Sequence, residues 1–385
     1  MERYAWVDCL RVIAIFFVII IHCTEPFYLG GEGSLIATES DAFWVSLFDS
    51  LARACVPLFI IASSYLQFPL HRPTSLFLKK RAIRVLIPFA IWTVVYALVW
   101  GEPIQNFKDL LLNFNYSAGH LWFVYMLIGV YLLIPMLSPW AERVSRKELT
   151  FYLAICFFTT LIPFIREIAG GDSASVIYGS SGIPNYAKFP LWGECSWNQY
   201  GVFYYLSGFI GYLLFGLYVR RFLTNFSKRA SIYIGLFSLI CGFAICFLGF
   251  LYRVYDSVGA SGFPVEGPVG IAALWETPWF NDTTGTALMA IGWVFLFKTI
   301  KSQGKSYKQL ILPLAKASYG VYLLHMLILV AVFGQISNLA GTIGISDFWS
   351  TPLVILSSAV ITFVLSSLVS LIIGRVPVIG KYIVG

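Results

Sequence analysis

The chain has 385 residues, 58% of them hydrophobic and only 12% charged, with a mean hydropathy of +0.79. A water-soluble fold cannot bury that much apolar surface, so composition excludes a soluble enzyme and points to an integral membrane protein. The net charge of +7 is spread over several short connections and not gathered in one domain, which argues against nucleic acid as a partner.

Hydropathy marks about ten apolar spans, at residues 4–26, 43–68, 76–100, 119–138, 149–168, 200–220, 230–252, 276–300, 311–334 and 352–373. Basic residues gather in alternate short connections: Arg72, Lys79, Lys80 and Arg81; Arg143, Arg146 and Lys147; Arg220, Arg221, Lys228 and Arg229; Lys298, Lys301, Lys305 and Lys308. The other connections are nearly free of them, and the first holds Glu25, Glu32, Glu39 and Asp41. By the positive-inside rule both termini are cytoplasmic, which an even number of spans satisfies. The expected fold is an all-α integral membrane bundle of about ten transmembrane helices, a single domain over residues 1–385. The first span is expected to stay in the mature protein, being too long for a signal peptide and lacking a small-x-small cleavage site. The seven cysteines show neither a disulfide framework nor zinc-type spacing, and Cys195 is the one clear external cysteine.

The first span, Trp6 to Cys23, carries two residues that are costly in a bilayer, Arg11 and His22. They return to nearly the same helix face at ~100° per residue and lie ~16 Å apart along the axis. Asp8 precedes Arg11 by three and Glu25 follows His22 by three, so each has an acidic neighbour on the stripe. The plain structural alternative is an Asp–Arg pair that locks helix packing, with an interfacial histidine. In the second span Arg53 interrupts the apolar run, Pro57 is placed to kink it, and Ser63 and Ser64 put hydroxyls in the wall. The third opens LFLKKRAIRVLIPF, where Arg81 and Arg84 share a face. Two guanidiniums near the cytoplasmic surface suit a phosphate-bearing ligand, whereas Lys79 and Lys80 also fit an ordinary positive anchor. The fourth opens with His120, Trp122 and Tyr125 toward the outer face, read as interface or substrate contacts. The long outer loop 169–199 carries Tyr178, Tyr186, Trp192 and Trp197, suited to a sugar face or to an interfacial aromatic belt. The ninth span sets Ser318, Tyr322 and His325 at i, i+4 and i+7, a polar stripe that must face protein or a cavity.

Taken together these segments resemble the acyltransferase 3 family of membrane O-acyltransferases. Arg11 and His22 match its Arg-x10-His motif, with Asp8 in place in DCLRVIA, and Arg81-Ala-Ile-Arg84 matches its Arg-x-x-Arg motif. VPLFIIASSYL is similar to its Phe-x-x-Ser-Gly-Tyr/Phe segment, with Ser64 standing where glycine is usual, a point of close backbone packing. HLWFVYMLIGVYLL and the run from Ser318 to Leu323, followed by His325, are similar to two further segments. The resemblance covers essentially the whole chain. It implies transfer of an acyl group, usually acetyl, from cytoplasmic acyl-CoA to a carbohydrate hydroxyl on the far side of a bacterial inner (plasma) membrane. The implied partners are acetyl-CoA as donor co-substrate, a carbohydrate or lipid-linked glycan acceptor, and membrane lipid.

On that reading Arg11, Arg81 and Arg84, with Lys80 and Arg72, hold the donor phosphates, and His22 is the general base on the acceptor hydroxyl, oriented by Glu25. Tyr322, Ser318 and His325 are candidate donors to the oxyanion, and His120, Trp122, Tyr125 and Ser318 candidate substrate contacts. An acyl-His22 intermediate is the two-step variant. The rival class is a proton- or anion-coupled transporter, which the same intramembrane Arg and His would suit, although inverted repeats are not seen. A metalloenzyme using His22, His120 and His325 is a third class; the chain has no HExxH or comparable motif, and no metal is expected.

Overall fold

The computed structural model describes residues 4–30, 33–100, 104–105, 108, 116–169, 191–193, 200–258, 260–267, 274–301 and 304–385. Cys195, Tyr178, Tyr186, Trp197 and Glu32 lie outside the described residues. The first apolar run is helix α1, Ala5–Thr24. The second span is two helices, α2 (Glu39–Ala52) and α3 (Cys55–Gln67). Their break follows from Pro57, whose ring collides with the carbonyl four residues back, that of Arg53. Next come α4 (Thr74–Val99), α5 (Trp122–Arg143), α6 (Arg146–Thr159) and α7 (Ile162–Ile168). They are followed by α8 (Ile210–Phe222), α9 (Lys228–Val258), α10 (Thr284–Phe297), α11 (Tyr307–Ile343), α12 (Asp347–Gly374) and the short α13 (Gly380–Ile383).

Among the described residues, eight helical stretches are long and apolar enough to cross a bilayer. The chain is a multi-pass, all-helical membrane protein. The other two predicted spans are the shorter helices α8 and α10, of 13 and 14 residues. At ~1.5 Å per residue each covers only ~20 Å, less than a full ~30 Å hydrocarbon core. Each is preceded by a 3-10 turn, at Gly201–Leu206 and Thr277–Trp279. The only strands among the described residues are β1 (Leu29–Gly30), β2 (Gly33–Ile36) and β3 (Val265–Gly267), a small antiparallel sheet joining two outer connections.

Burial sorts the spans into inner and outer. In the most apolar window, 72% of the α2–α3 span is buried, against 28% of α9. Helix α1 is enclosed by α2, α3, α11 and α12, so its polar stripe faces protein and not lipid. Helix α9 is held to α10 by a seam of glycines. A Cβ on Gly242 would sit 2.6 Å from the Gly285 carbonyl, and one on Gly292 would sit 2.8 Å from that of Gly235. Such close approach replaces the hydrophobic drive that lipid does not supply. Ser64 is accommodated the same way. Its hydroxyl donates to the Leu213 carbonyl at 2.6 Å, and a Cβ on Gly216 of α8 would come 2.5 Å from the Ser64 Cβ. The glycine that permits the close approach stands on the facing helix.

Candidate active site

A cavity of about 490 Å3 opens among the basic starts of α1, α4 and α11, the end that the positive-inside rule makes cytoplasmic. Its walls carry six cations, Arg11, Arg72, Lys80, Arg81, Arg84 and Lys316, against one carboxylate side chain, Asp8. Asp8 accepts a hydrogen bond from the Tyr307 hydroxyl at 2.6 Å, and Arg11 donates to the Ser318 hydroxyl at 3.0 Å. A π-helical turn, Ala82–Leu86, interrupts α4 at the second arginine of Arg-x-x-Arg, and both Arg81 and Arg84 line the cavity. Aromatic faces hold two of these guanidiniums in place. Arg72 and Arg81 lie over Phe77, at 5.5 and 5.4 Å, and Arg81 also lies over Tyr131, at 5.1 Å. The pKa of Arg72, in the loop ahead of α4, is drawn down by desolvation and by the neighbouring Arg81 cation. The Arg81 Nε and the Gln67 Oε1 are buried with no hydrogen-bond partner among the described residues. Surplus positive charge with donors unspent is the chemistry of a polyanion site.

Beyond the inner end of this cavity, three of the chain's four histidines meet. The ring centroids of His22 and His325 are 5.3 Å apart, those of His120 and His325 5.3 Å, and those of His22 and His120 6.3 Å. None of the three lines the cavity. His22 Nδ1 lies 2.9 Å from both carboxylate oxygens of Glu25. A carboxylate only accepts, so Nδ1 carries a proton, and in the neutral ring Nε2 then presents the lone pair, the arrangement of a general base held by an orienting acid. His325 Nδ1 donates to the Tyr322 carbonyl at 2.6 Å, and its Nε2 is buried without a partner among the described residues. His120 Nε2 is likewise buried and unpartnered, with the ring edge-on to Tyr96 at 4.7 Å.

Of the other predicted residues, Ser318 and Tyr322 line the cavity, and Tyr322 also stands 6.0 Å from His325 and 6.2 Å from His120, ring to ring. Their hydrogens are already engaged. Tyr322 donates to the His120 carbonyl and Ser318 to that of Ala315. Service to an oxyanion therefore requires those bonds to open. Trp122 and Tyr125 are apart from both features. They are 38% and 44% exposed on the outside of α5, in ring contact with Phe209 and Phe89. Trp192 is exposed and packs on Phe158 and Phe203. Among the described residues no group of three His, Cys, Asp or Glu side chains is placed to hold a metal ion.

Sequence reasoning missed Lys316 and a buried network on the outer flank of His22. Arg53 pairs with Asp49 and donates to Tyr28 at 3.2 Å and to Glu276 at 3.3 Å, over the face of Trp279 at 4.6 Å. Thr24 donates to Asp49 at 2.6 Å, and Tyr28 donates to Glu276 at 2.6 Å. Burial and the surrounding carboxylates push the Tyr28 hydroxyl well above its ordinary pKa, so it remains a donor. The signal available was Asp49 and Arg53 at i and i+4 within one apolar span. The i+4 spacing marks the pair, but Glu276 arrives from a distant span and no local pattern announces it.

The sequence profile described as an acyltransferase domain matches residues 4–371, nearly the whole chain. This match lends no support to the transporter alternative. No curated protein and no solved structure matches the chain.

Proposed function

The chain belongs to this acyltransferase family, and from that premise we propose that it is an O-acetyltransferase of the bacterial inner membrane. It takes acetyl from cytoplasmic acetyl-CoA and transfers it to a hydroxyl of a carbohydrate or lipid-linked glycan. The observation that carries this reading is the cavity lined by six cations and open at the cytoplasmic end. Coenzyme A is polyanionic at one end and bears its thioester at the end of a long neutral arm. Arg81 and Arg84, with Arg72, Lys80 and Lys316, take the phosphates, and Arg11, tied to Ser318, lies deeper on the path of the arm.

The proposed step uses His22 as general base. Its Nε2 removes the proton from the acceptor hydroxyl as the oxygen attacks the thioester carbonyl carbon. The C–S bond then breaks, and the coenzyme A thiolate leaves with the proton returned from His22. Glu25 holds the imidazole in the tautomer that the step needs and faces the transient imidazolium with a carboxylate. The Arg53 network keeps the outer flank of that dyad fixed.

Sidedness tests the reading. Membrane vesicles with the cytoplasmic face outward, given radiolabelled acetyl-CoA, are expected to release free thiol and fix label on membrane glycan. Vesicles of the opposite orientation are expected to do neither until opened. Label that crosses the membrane still attached to coenzyme A, without thiol release, would overturn the proposal in favour of a carrier.

A further inference from the structure

None of the three histidines lines the cavity, and aromatic rings stand where the cavity and the cluster adjoin. Three helices each send one ring to the inner end of the cavity: Phe59 from α3, Phe123 from α5 and Tyr322 from α11. Phe59 and Phe123 are 5.7 Å apart between centroids, and Phe123 and Tyr322 5.5 Å. The Tyr322 ring is the layer next to His120 and His325. We propose that these three rings form the acyl-end wall of the donor site and restrict the donor to the shortest acyl chains, with Phe123 as the main determinant. This inference rests on the acyl-CoA reading above.

The argument is one of volume and tethering. A donor whose phosphates sit among Arg72, Arg81 and Arg84 points its thioester inward, toward these rings. Tyr322 is fixed, because its hydroxyl is bonded to the His120 carbonyl and its ring stacks on Tyr319 at 6.3 Å. Phe123 has no polar tether and is almost wholly buried, so it can turn only within a small space. An acetyl group asks little of that space. Each further methylene must displace ring atoms in a close-packed interior, where overpacking is resisted. One methylene misfitted in an apolar pocket commonly changes selection by ~10-fold or more.

The test is equilibrium binding of acetyl-CoA and butyryl-CoA to the full-length protein in nanodiscs, as wild type, Phe123→Ala and Phe59→Ala. Wild type is expected to favour acetyl-CoA by at least ~10-fold. Phe123→Ala is expected to erase or invert that preference, with butyryl-CoA gaining affinity relative to acetyl-CoA. Phe59→Ala, a change at a half-buried ring that a folded protein tolerates better, is expected to move the ratio in the same direction by a smaller factor. If wild type binds acetyl-CoA but the ratio is the same in every folded variant, the wall is not the determinant and the inference fails alone. If wild type binds neither thioester, the donor reading fails and takes the inference with it.

Discussion

The two halves of the candidate site handle charge in opposite ways. At the cytoplasmic cavity six cations face one carboxylate side chain, and Arg81 keeps a buried donor unspent. At the outer half, Arg53 is matched by Asp49 and Glu276, and His22 by Glu25. The first region is unbalanced and open, which suits a ligand that brings its own negative charge. In the second each of these groups already has its partner within the protein, and in that sense it is balanced; it is also enclosed, which suits holding a base in one orientation. Cations in excess of carboxylates thus mark the place for binding, and groups already paired within the protein mark the place for positioning.

The largest effect that would break this contrast is on the balanced side. Arg53→Met leaves the carboxylates of Asp49 and Glu276 without their cation, and removing one partner of a buried pair costs about 3–5 kcal/mol. Thermal unfolding in detergent is expected to show the loss, and an unchanged midpoint would mean that the network is not holding the outer half. On the unbalanced side the expected effect is on binding and not on folding. Arg81→Ala removes a charge-assisted contact worth about 1.5–3 kcal/mol, so KM for acetyl-CoA is expected to rise ~10- to 100-fold with the unfolding midpoint nearly unmoved. Gly242→Ala tests the packing that supports both halves. Its new Cβ would meet the backbone of Gly285 and Met289 at 2.6 and 2.7 Å, and overpacking of this kind costs about 1–3 kcal/mol. The variant is expected to melt earlier yet keep its activity per folded molecule. The smallest change is Lys316→Ala. This exposed cation at the cavity rim is expected to contribute about 0.2–1 kcal/mol, a KM increase of up to ~5-fold that shrinks as salt is raised.

The unbalanced half was largely legible in the sequence, because its residues are local. Arg81 and Arg84 are three apart, Lys80 adjoins them, and Arg11 interrupts one apolar run, so helix periodicity alone puts them on usable faces. The dyad was legible for the same reason, Glu25 following His22 by three. The convergence of His22, His120 and His325 was not, since it depends on how α1, α5 and α11 pack, and periodicity does not carry relative placement. Trp122 and Tyr125 were grouped with His120 by proximity in sequence. The chain passes from a 3-10 turn into α5 at Leu121 and Trp122, and that change leaves His120 buried while turning the other two outward. The span count was readable to within its short members, because α8 and α10 are completed by 3-10 turns that hydropathy merges with the helix.

The most direct test of the central claim, donor held at the cavity and chemistry at His22, is to compare wild type and His22→Ala in nanodiscs. Acetyl-CoA binding and free-thiol release would be measured on the same preparation with membrane glycan supplied. The account predicts that His22→Ala binds acetyl-CoA within about threefold of wild type but releases thiol at least ~100-fold more slowly. Thiol release that persists at the wild-type rate in folded His22→Ala would contradict it.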